Sequence, residues 1–168
     1  RVGAGARLHR APPPLIREAR RDEADVLAAI QRDASLAALG HVFPPESYPY
    51  PIDDVRQRWR DALGDAEATV LVAEEDATAA GVAMARSEWL DGLYVLPAWW
   101  GTGIAQRLHD EALERVRAGG AKQCHLWVLE ANDRARRFYE RLGWRQNETT
   151  RVVPFPPHPI DVGYSIEL

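Results

Sequence analysis

Residues 93–108, LYVLPAWWGTGIAQRL, place an apolar strand-like run, a proline, a turn with two glycines and the start of a long amphipathic segment in immediate succession. Few architectures accept that order. Pro97 ends a strand because it has no N–H to offer a neighbouring chain. From Gly103 to Arg117 the pattern is helical: Ile104, Leu108, Ala112, Leu113 and Val116 fall on one face, charged residues on the other, and Gly119-Gly120 ends it. A strand that passes through a glycine turn straight into a helix aims several unpaired N–H groups and the positive end of the helix dipole at one point. An anion such as a pyrophosphate fits there, and Gly101 and Gly103 let it approach the main chain closely. Without such an anion the glycines would merely make a tight turn.

Two other phosphate patterns fail on this segment. A dinucleotide fingerprint needs a third Gly or Ala where Gln106 stands, and an acidic residue at a distance where none occurs. A Walker loop needs Gly-Lys-Ser/Thr, which the chain lacks.

Around this unit, strand and helix patterns alternate. Leu15 to Ala19 is a short strand, and a helix is expected from about Asp22 with Val26, Leu27 and Ile30 on one face. The run HVFPPESYPYPI, residues 41–52, holds four prolines and cannot be regular helix. Asp53 is expected to cap a second helix with Val55, Trp59 and Leu63 inward. Thr69–Ala73 and Gly81–Ala85 make a hairpin turned at Glu75-Asp76, and Leu90–Leu96 is a further strand. His125–Leu129 reads as a strand of the fully buried kind. Asn132 caps a helix that turns Ala135, Phe138 and Leu142 inward and closes at Gly143. Two last strands, around 149–153 and 162–168, flank PFPPHP. The expected fold is a single α/β domain over residues 15–168, a mixed central β-sheet with helices on both faces, after a flexible lead-in over residues 1–14.

The helix that Asn132 opens carries a second motif, Asn132-Asp133-Arg134-Ala135-Arg136-Arg137-Phe138-Tyr139-Glu140-Arg141-Leu142-Gly143-Trp144. Asn132 and Tyr139 lie two turns apart on one helical face, the relation needed to touch one ligand. Alone, Asn132 is a plain cap and Tyr139 a core aromatic beside Phe138. Together with the glycine turn, the block resembles the GNAT N-acetyltransferases. That family carries Arg/Gln-x-x-Gly-x-Gly/Ala at the strand–helix junction and Asn-x-x-Ala-x-x-Phe-Tyr-x-x-x-Gly-Phe further on. The match holds at Gly103 and Ala105, whereas Trp100 stands where Arg or Gln is usual. It is close over about residues 69–145 and extends to the ends only in the order of elements.

The resemblance implies acetyl-CoA as co-substrate. Its pantetheine arm would run along Leu93, Tyr94 and Val95, and its pyrophosphate would lie on Gly101, Thr102, Gly103, Ile104, Ala105 and Gln106, with Asn132 nearby. It also implies an amine acceptor, a backbone N–H of the Leu93–Val95 strand for the developing oxyanion, and Tyr139 as donor to the departing thiolate.

An amine attacks a thioester only when neutral, so a lysine-type amine (pKa about 10.4) needs a base or a water chain at pH 7. Relatives place a carboxylate at positions that here hold Trp89 and Trp127. Asp91 is then the expected base, on one face with Trp89, Leu93 and Val95 by strand alternation. An ordered water relay is the alternative. Tyr48 and Tyr50, with Trp89 and Trp127, are expected to wall the acceptor site. His109 and His125 read as structural and Cys124 as a buried strand thiol, and no metal site is expected.

Composition narrows the partners. A formal net charge of −4 gives no cationic surface for nucleic acid or an anionic membrane, and no apolar run approaches the length of a spanning helix. The single cysteine cannot make an intrachain disulfide and suits a reducing cytoplasm. The expected partner is a small-molecule or peptide amine, and a homodimer is compatible with the sequence. Two other readings stay open: a CoA-binding protein without catalysis, and a nucleotide-binding oxidoreductase using the same turn.

Overall fold

The computed structural model describes residues 13–168, so the expected lead-in lies outside the described residues except for Pro13 and Pro14. Seven strands, β1 (Leu15–Glu18), β2 (Ala68–Glu75), β3 (Thr78–Arg86), β4 (Trp89–Val95), β5 (Gln123–Leu129), β6 (Arg145–Val152) and β7 (Ile160–Glu167), form one sheet in the order β1-β2-β3-β4-β5-β7-β6. Every pairing is antiparallel except β4 with β5. Four helices cover it: α1 (Ala24–Leu39), α2 (Ile52–Gly64), α3 (Ile104–Ala118) and α4 (Asp133–Arg141). The expected mixed sheet with helices on both faces is therefore the fold.

Strand alternation builds two cores. In β2, Val70 and Val72 face the core under α1 and α2, with Leu27, Ile30 and Trp59. Leu71 and Ala73 face the opposite core under α3 and α4, with Leu108, Val116, Trp144 and Tyr164. Because α1 and α2 pack over β2 to β4, they leave β5 bare on that side. β5 consequently alternates: Cys124, Leu126 and Val128 are buried, while His125 and Trp127 are only half-buried on the other face. The expectation of a fully buried strand is corrected on this point.

Three local expectations also change. Val26 is 45% exposed, because the buried stripe of α1 runs through Leu27, Ile30 and Ala34 and leaves Val26 rotated toward water. Asp53 caps nothing: Pro51 holds the N-cap position, and Asp53 sits inside the first turn accepting a bond from Arg56. The hairpin turns one residue later than expected, at Asp76 and Ala77, whose φ values of 48° and 60° match the twist of the two strands.

Candidate active site

The parallel pair β4–β5 is joined only at Trp89 and His125, where the His125 N–H donates to Glu88 O at 2.8 Å. Beyond that bridge the two strands part, and the second half of β4 faces an open wedge. The hydrogen-bond phase of β4 decides which groups look into it. Leu96 N–H donates to Ala80 O, so alternate residues Tyr94 and Gly92 spend their main-chain groups on β3. Leu93 and Val95 point theirs the other way. Consistent with this, Val95 O accepts the Trp100 indole N–H at 2.7 Å. The Leu93 N–H and C=O and the Val95 N–H therefore line the wedge, whereas Tyr94 brings its side chain to the α1/α2 face, against Trp59.

At the end of β4 a 3-10 turn, Pro97–Trp99, leads into α3. Gly101 and Gly103 take φ of 76° and 90°, and a Cβ built on either would meet nothing within 4 Å. The concave side of this turn is open space. Arg107 N–H is bonded to Gly103 O, which leaves the N–H groups of Ile104, Ala105 and Gln106 without helical acceptors. No acidic residue stands in the first turn of α3, so nothing offsets its dipole. Ile104 is 1% exposed and anchors the first turn of α3 in the core. Thr102 turns its hydroxyl back onto Trp99 O at 2.6 Å and offers none to a ligand.

α4 borders the far side of the wedge. Asn132 caps it as expected, its Oδ1 accepting from Ala135 N–H at 3.1 Å, and Gly143 closes it with φ of 94°. Two turns on, Tyr139 is buried, and burial followed by the nearby Tyr94 and Cys124 groups holds its hydroxyl well above the ordinary phenol range. Burial likewise pushes the Cys124 thiol up to about 11, which keeps it protonated and poorly nucleophilic.

Asp91 is placed differently from the expectation of a shared face with Leu93 and Val95. Leu90 pairs with Ala85 and Gly92 with Met84, so Asp91 is the extra residue of a β-bulge. The bulge resets the alternation: Leu90 joins Leu93 and Val95 in the α3 core, and Trp89 turns to the opposite face. There it stacks on Trp127 at 6.1 Å and 16°. Asp91 keeps contact with solvent, yet the crowding around it raises its pKa above the usual carboxylate value. Arg86, Arg58 and Arg151 oppose that rise.

The α1–α2 loop reaches across to the other half of the sheet. His41 Nε2 bonds Ala131 O at 3.0 Å, and Phe43 lies 5.8 Å from Phe155 in the β6–β7 loop. Tyr48 is half-buried in this loop. Tyr50 packs against the α1/α2 core, its hydroxyl enclosed and without a hydrogen-bond partner, Ser35 being close but outside bonding geometry. Three side chains around these elements were not singled out in the sequence. Phe155 is one, Arg58 is another, and the third is Arg134, whose guanidinium lies 3.5 Å over the Trp100 ring. No group of three or more His, Cys, Asp or Glu is placed to hold a metal among the described residues, and no described helix is long and apolar enough to cross a membrane.

Comparison with known proteins bears on the same features. The sequence profile of the Acetyltransferase (GNAT) family matches residues 27–144. An uncharacterized N-acetyltransferase of Mycobacterium tuberculosis is 32% identical over 134 residues, which is 76% of this chain and 86% of that protein. Among solved structures, the fold is similar to the PaiA N-acetyltransferase of Thermoplasma acidophilum in complex with coenzyme A. The TM-score is 0.73 at 18% identity, covering 92% and 99% of the two chains. It is also similar to YncA of Salmonella typhimurium, a putative acetyltransferase with its cofactor acetyl-CoA (TM-score 0.68, 21% identity, 94% and 95% covered). With the family profile spanning both the glycine turn and the Asn132–Trp144 block, the chain belongs to the GNAT family of acetyltransferases.

Proposed function

We propose that this protein transfers the acetyl group of acetyl-CoA to an amine by direct attack, with both substrates bound together. The observation that carries the proposal is the continuity of the open edge of β4 with the cradle at the start of α3. A thioester arm laid along Leu93 and Val95 leads its pyrophosphate to the free N–H groups of Ile104, Ala105 and Gln106. The space beside Gly101 and Gly103 that a Cβ would fill receives the phosphates.

Each remaining group has work that its surroundings support. An N–H of Leu93 or Val95, fixed in a strand and free of protein partners, suits the oxyanion that develops on the acetyl carbonyl. Tyr139 serves the leaving sulfur. Its raised pKa makes it a hydrogen-bond donor to the thiolate (reference pKa about 8.5) rather than a full proton donor. Asp91, in its bulge, is the base or the anchor of a water that removes the amine proton, and a raised pKa improves it in that role. Trp89 and Trp127, with Tyr48 and Tyr50 of the α1–α2 loop, wall the acceptor side. Cys124, kept protonated, is no acyl carrier.

Titration calorimetry of Gly103→Val tests the cradle. A β-branched residue at φ 90° is strained and fills the phosphate space, while it meets no protein atom within 4 Å. CoA binding should vanish in a folded variant, and unchanged affinity would remove the cradle. Release of free thiol from acetyl-CoA in the presence of amines tests the transfer itself. Tight CoA binding without release for any amine would favour a binding protein without catalysis.

A further inference from the structure

Two of the arginines around the acceptor face are satisfied within the protein. Arg86 pairs with Asp65 at 3.1 Å. Arg151 pairs with Asp161 at 2.9 Å and lies 4.6 Å over the Trp127 ring. Arg58 and Asp91 stand apart from these pairs. Among the described residues, Arg58 and Asp91 form no ion pair with each other or with any other group, although each lies within electrostatic reach of the other. They are of opposite sign and come from different elements, α2 and the β4 bulge.

Arg58 is held loosely. Its Nη2 lies 3.4 Å from both the Tyr94 hydroxyl and Gln31 Oε1, long contacts in each case. Gln31 Oε1 already accepts the Trp59 indole N–H at 3.0 Å, so it is a weak partner for a cation. Most of the guanidinium fork is unspent. Beside it, the enclosed Tyr50 hydroxyl lacks any partner, and Arg58 and Tyr94 are among its electrostatic neighbours. A planar cation with free donors, next to two phenol hydroxyls, has the chemistry that recognises a carboxylate. Asp91 supplies the complementary anion for an ammonium group, and the Trp89–Trp127 stack gives the acceptor face aromatic character.

We propose that the acceptor is an amine that also bears a carboxylate, bound as a zwitterion with its carboxylate on Arg58 and its amine directed to Asp91. This rests on the acetyl-transfer reading above and narrows its substrate class to amino-acid-like acceptors with an apolar body. Simple alkylamines and polyamines, which offer Arg58 nothing but repulsion, are then poor acceptors.

Paired acceptors that differ only in the carboxylate decide the matter: L-leucine, L-phenylalanine and L-tryptophan against their amides, followed by thiol release from acetyl-CoA. The free acids should be preferred in kcat/KM by at least about 10-fold, the scale of one charge-assisted hydrogen bond. The preference is stringent, because an amide lowers the pKa of the neighbouring amine and by itself favours attack. In Arg58→Gln the ratio should fall to about one through a rise in acceptor KM, with acetyl-CoA KM unmoved and Arg58→Lys in between. Amides used as well as acids, or a preference that survives Arg58→Gln, would overturn the proposal. Absence of thiol release with every amine would instead overturn the transfer reading, and this one with it.

Discussion

The indole N–H of Trp144, three residues past α4, donates to Nε2 of His109 in α3 across 2.8 Å, with both rings buried. His109 Nδ1 therefore carries the ring proton and faces Asp110 Oδ1, also at 2.8 Å. The bond ties the helix of the phosphate cradle to the helix that carries Tyr139. It exists only while the imidazole is neutral, and burial depresses the His109 pKa below its ordinary 6.5 against the smaller opposing pull of Asp110. A depressed histidine contributes stability that is present above the unfolded pKa. It is lost as pH falls from about 6.5 through the folded value. We expect the thermal midpoint to drop between pH 7.5 and pH 5.5 by more than in His109→Phe. That variant should be less stable at pH 7.5 by about 1–3 kcal/mol, because the Trp144 N–H is left buried without an acceptor. Parallel pH profiles for the two proteins would remove His109 as the sensitive group.

Arg134 makes a second contact between the ends of these helices, its guanidinium 3.5 Å over Trp100 while the Trp100 indole is pinned to Val95 O. Trp100 occupies the place where the GNAT pattern carries Arg or Gln, and the stack returns a cation to that corner from α4. Arg134 forms no ion pair among the described residues, so its charge is available to a phosphate at the cradle. Arg134→Ala should raise the KM for acetyl-CoA about 5- to 30-fold, the equivalent of about 1–2 kcal/mol, with kcat little changed. Steady-state kinetics at fixed saturating acceptor checks this, and an unmoved KM would make the stack purely structural.

How far the site was readable from the sequence differs residue by residue. Gly101, Gly103 and the Asn132 cap were legible because their roles are local: a positive φ, a free N–H and a side-chain cap are set by neighbours in the chain. The fold class followed from the alternation of strand and helix periods. The Asp91 bulge was not legible, because an extra residue in a strand is defined by the partner it fails to face, here between Ala85 and Met84 of β3. The half-open state of β5 depended on how far α1 and α2 reach over the sheet, a tertiary fact that a run of apolar residues does not encode. Arg58 and Arg134 were invisible for another reason. An arginine on the polar face of a helix has the same sequence signature whether it faces water or a ligand.

Tyr139→Phe isolates the donor at the leaving sulfur. No protein group bonds the hydroxyl among the described residues, and the ring packs against Phe138 and Trp144 at 5.2 and 5.8 Å. The variant should keep its thermal midpoint within about a degree or two. Its kcat should fall roughly 10- to 1000-fold, the range for loss of a general acid or a charge-stabilising donor. Burial keeps the phenol protonated well past its usual range, so the deficit should be the same from pH 6 to pH 9. Wild-type kcat in the Phe variant would return Tyr139 to a packing role.

Asp91→Asn makes the opposite forecast, a deficit that depends strongly on pH. Crowding by neighbouring groups raises the Asp91 pKa above 3.8 even though the side chain keeps contact with solvent, while Arg86, Arg58 and Arg151 pull it down. The carboxylate is charged, and able to accept a proton, above that value and is lost as pH falls through it. The acid limb of the wild-type kcat/KM profile should therefore contain a group above the ordinary Asp range. The Asn variant should lack it. Its activity should be most depressed at neutral pH, where the acceptor's amine is largely protonated and needs help to lose its proton. As pH approaches the acceptor's own pKa, the amine deprotonates in bulk water and the variant should recover, narrowing a gap of about 10²-fold toward unity. The same substitution removes the anion that faces the acceptor ammonium, so a rise in acceptor KM accompanies the kcat loss while the amine is protonated and fades with it as pH rises. The distinguishing observation is the slope. A pH–rate profile for Asp91→Asn parallel to wild type, whatever its height, would assign Asp91 to binding alone and leave the proton to a water held elsewhere in the wedge.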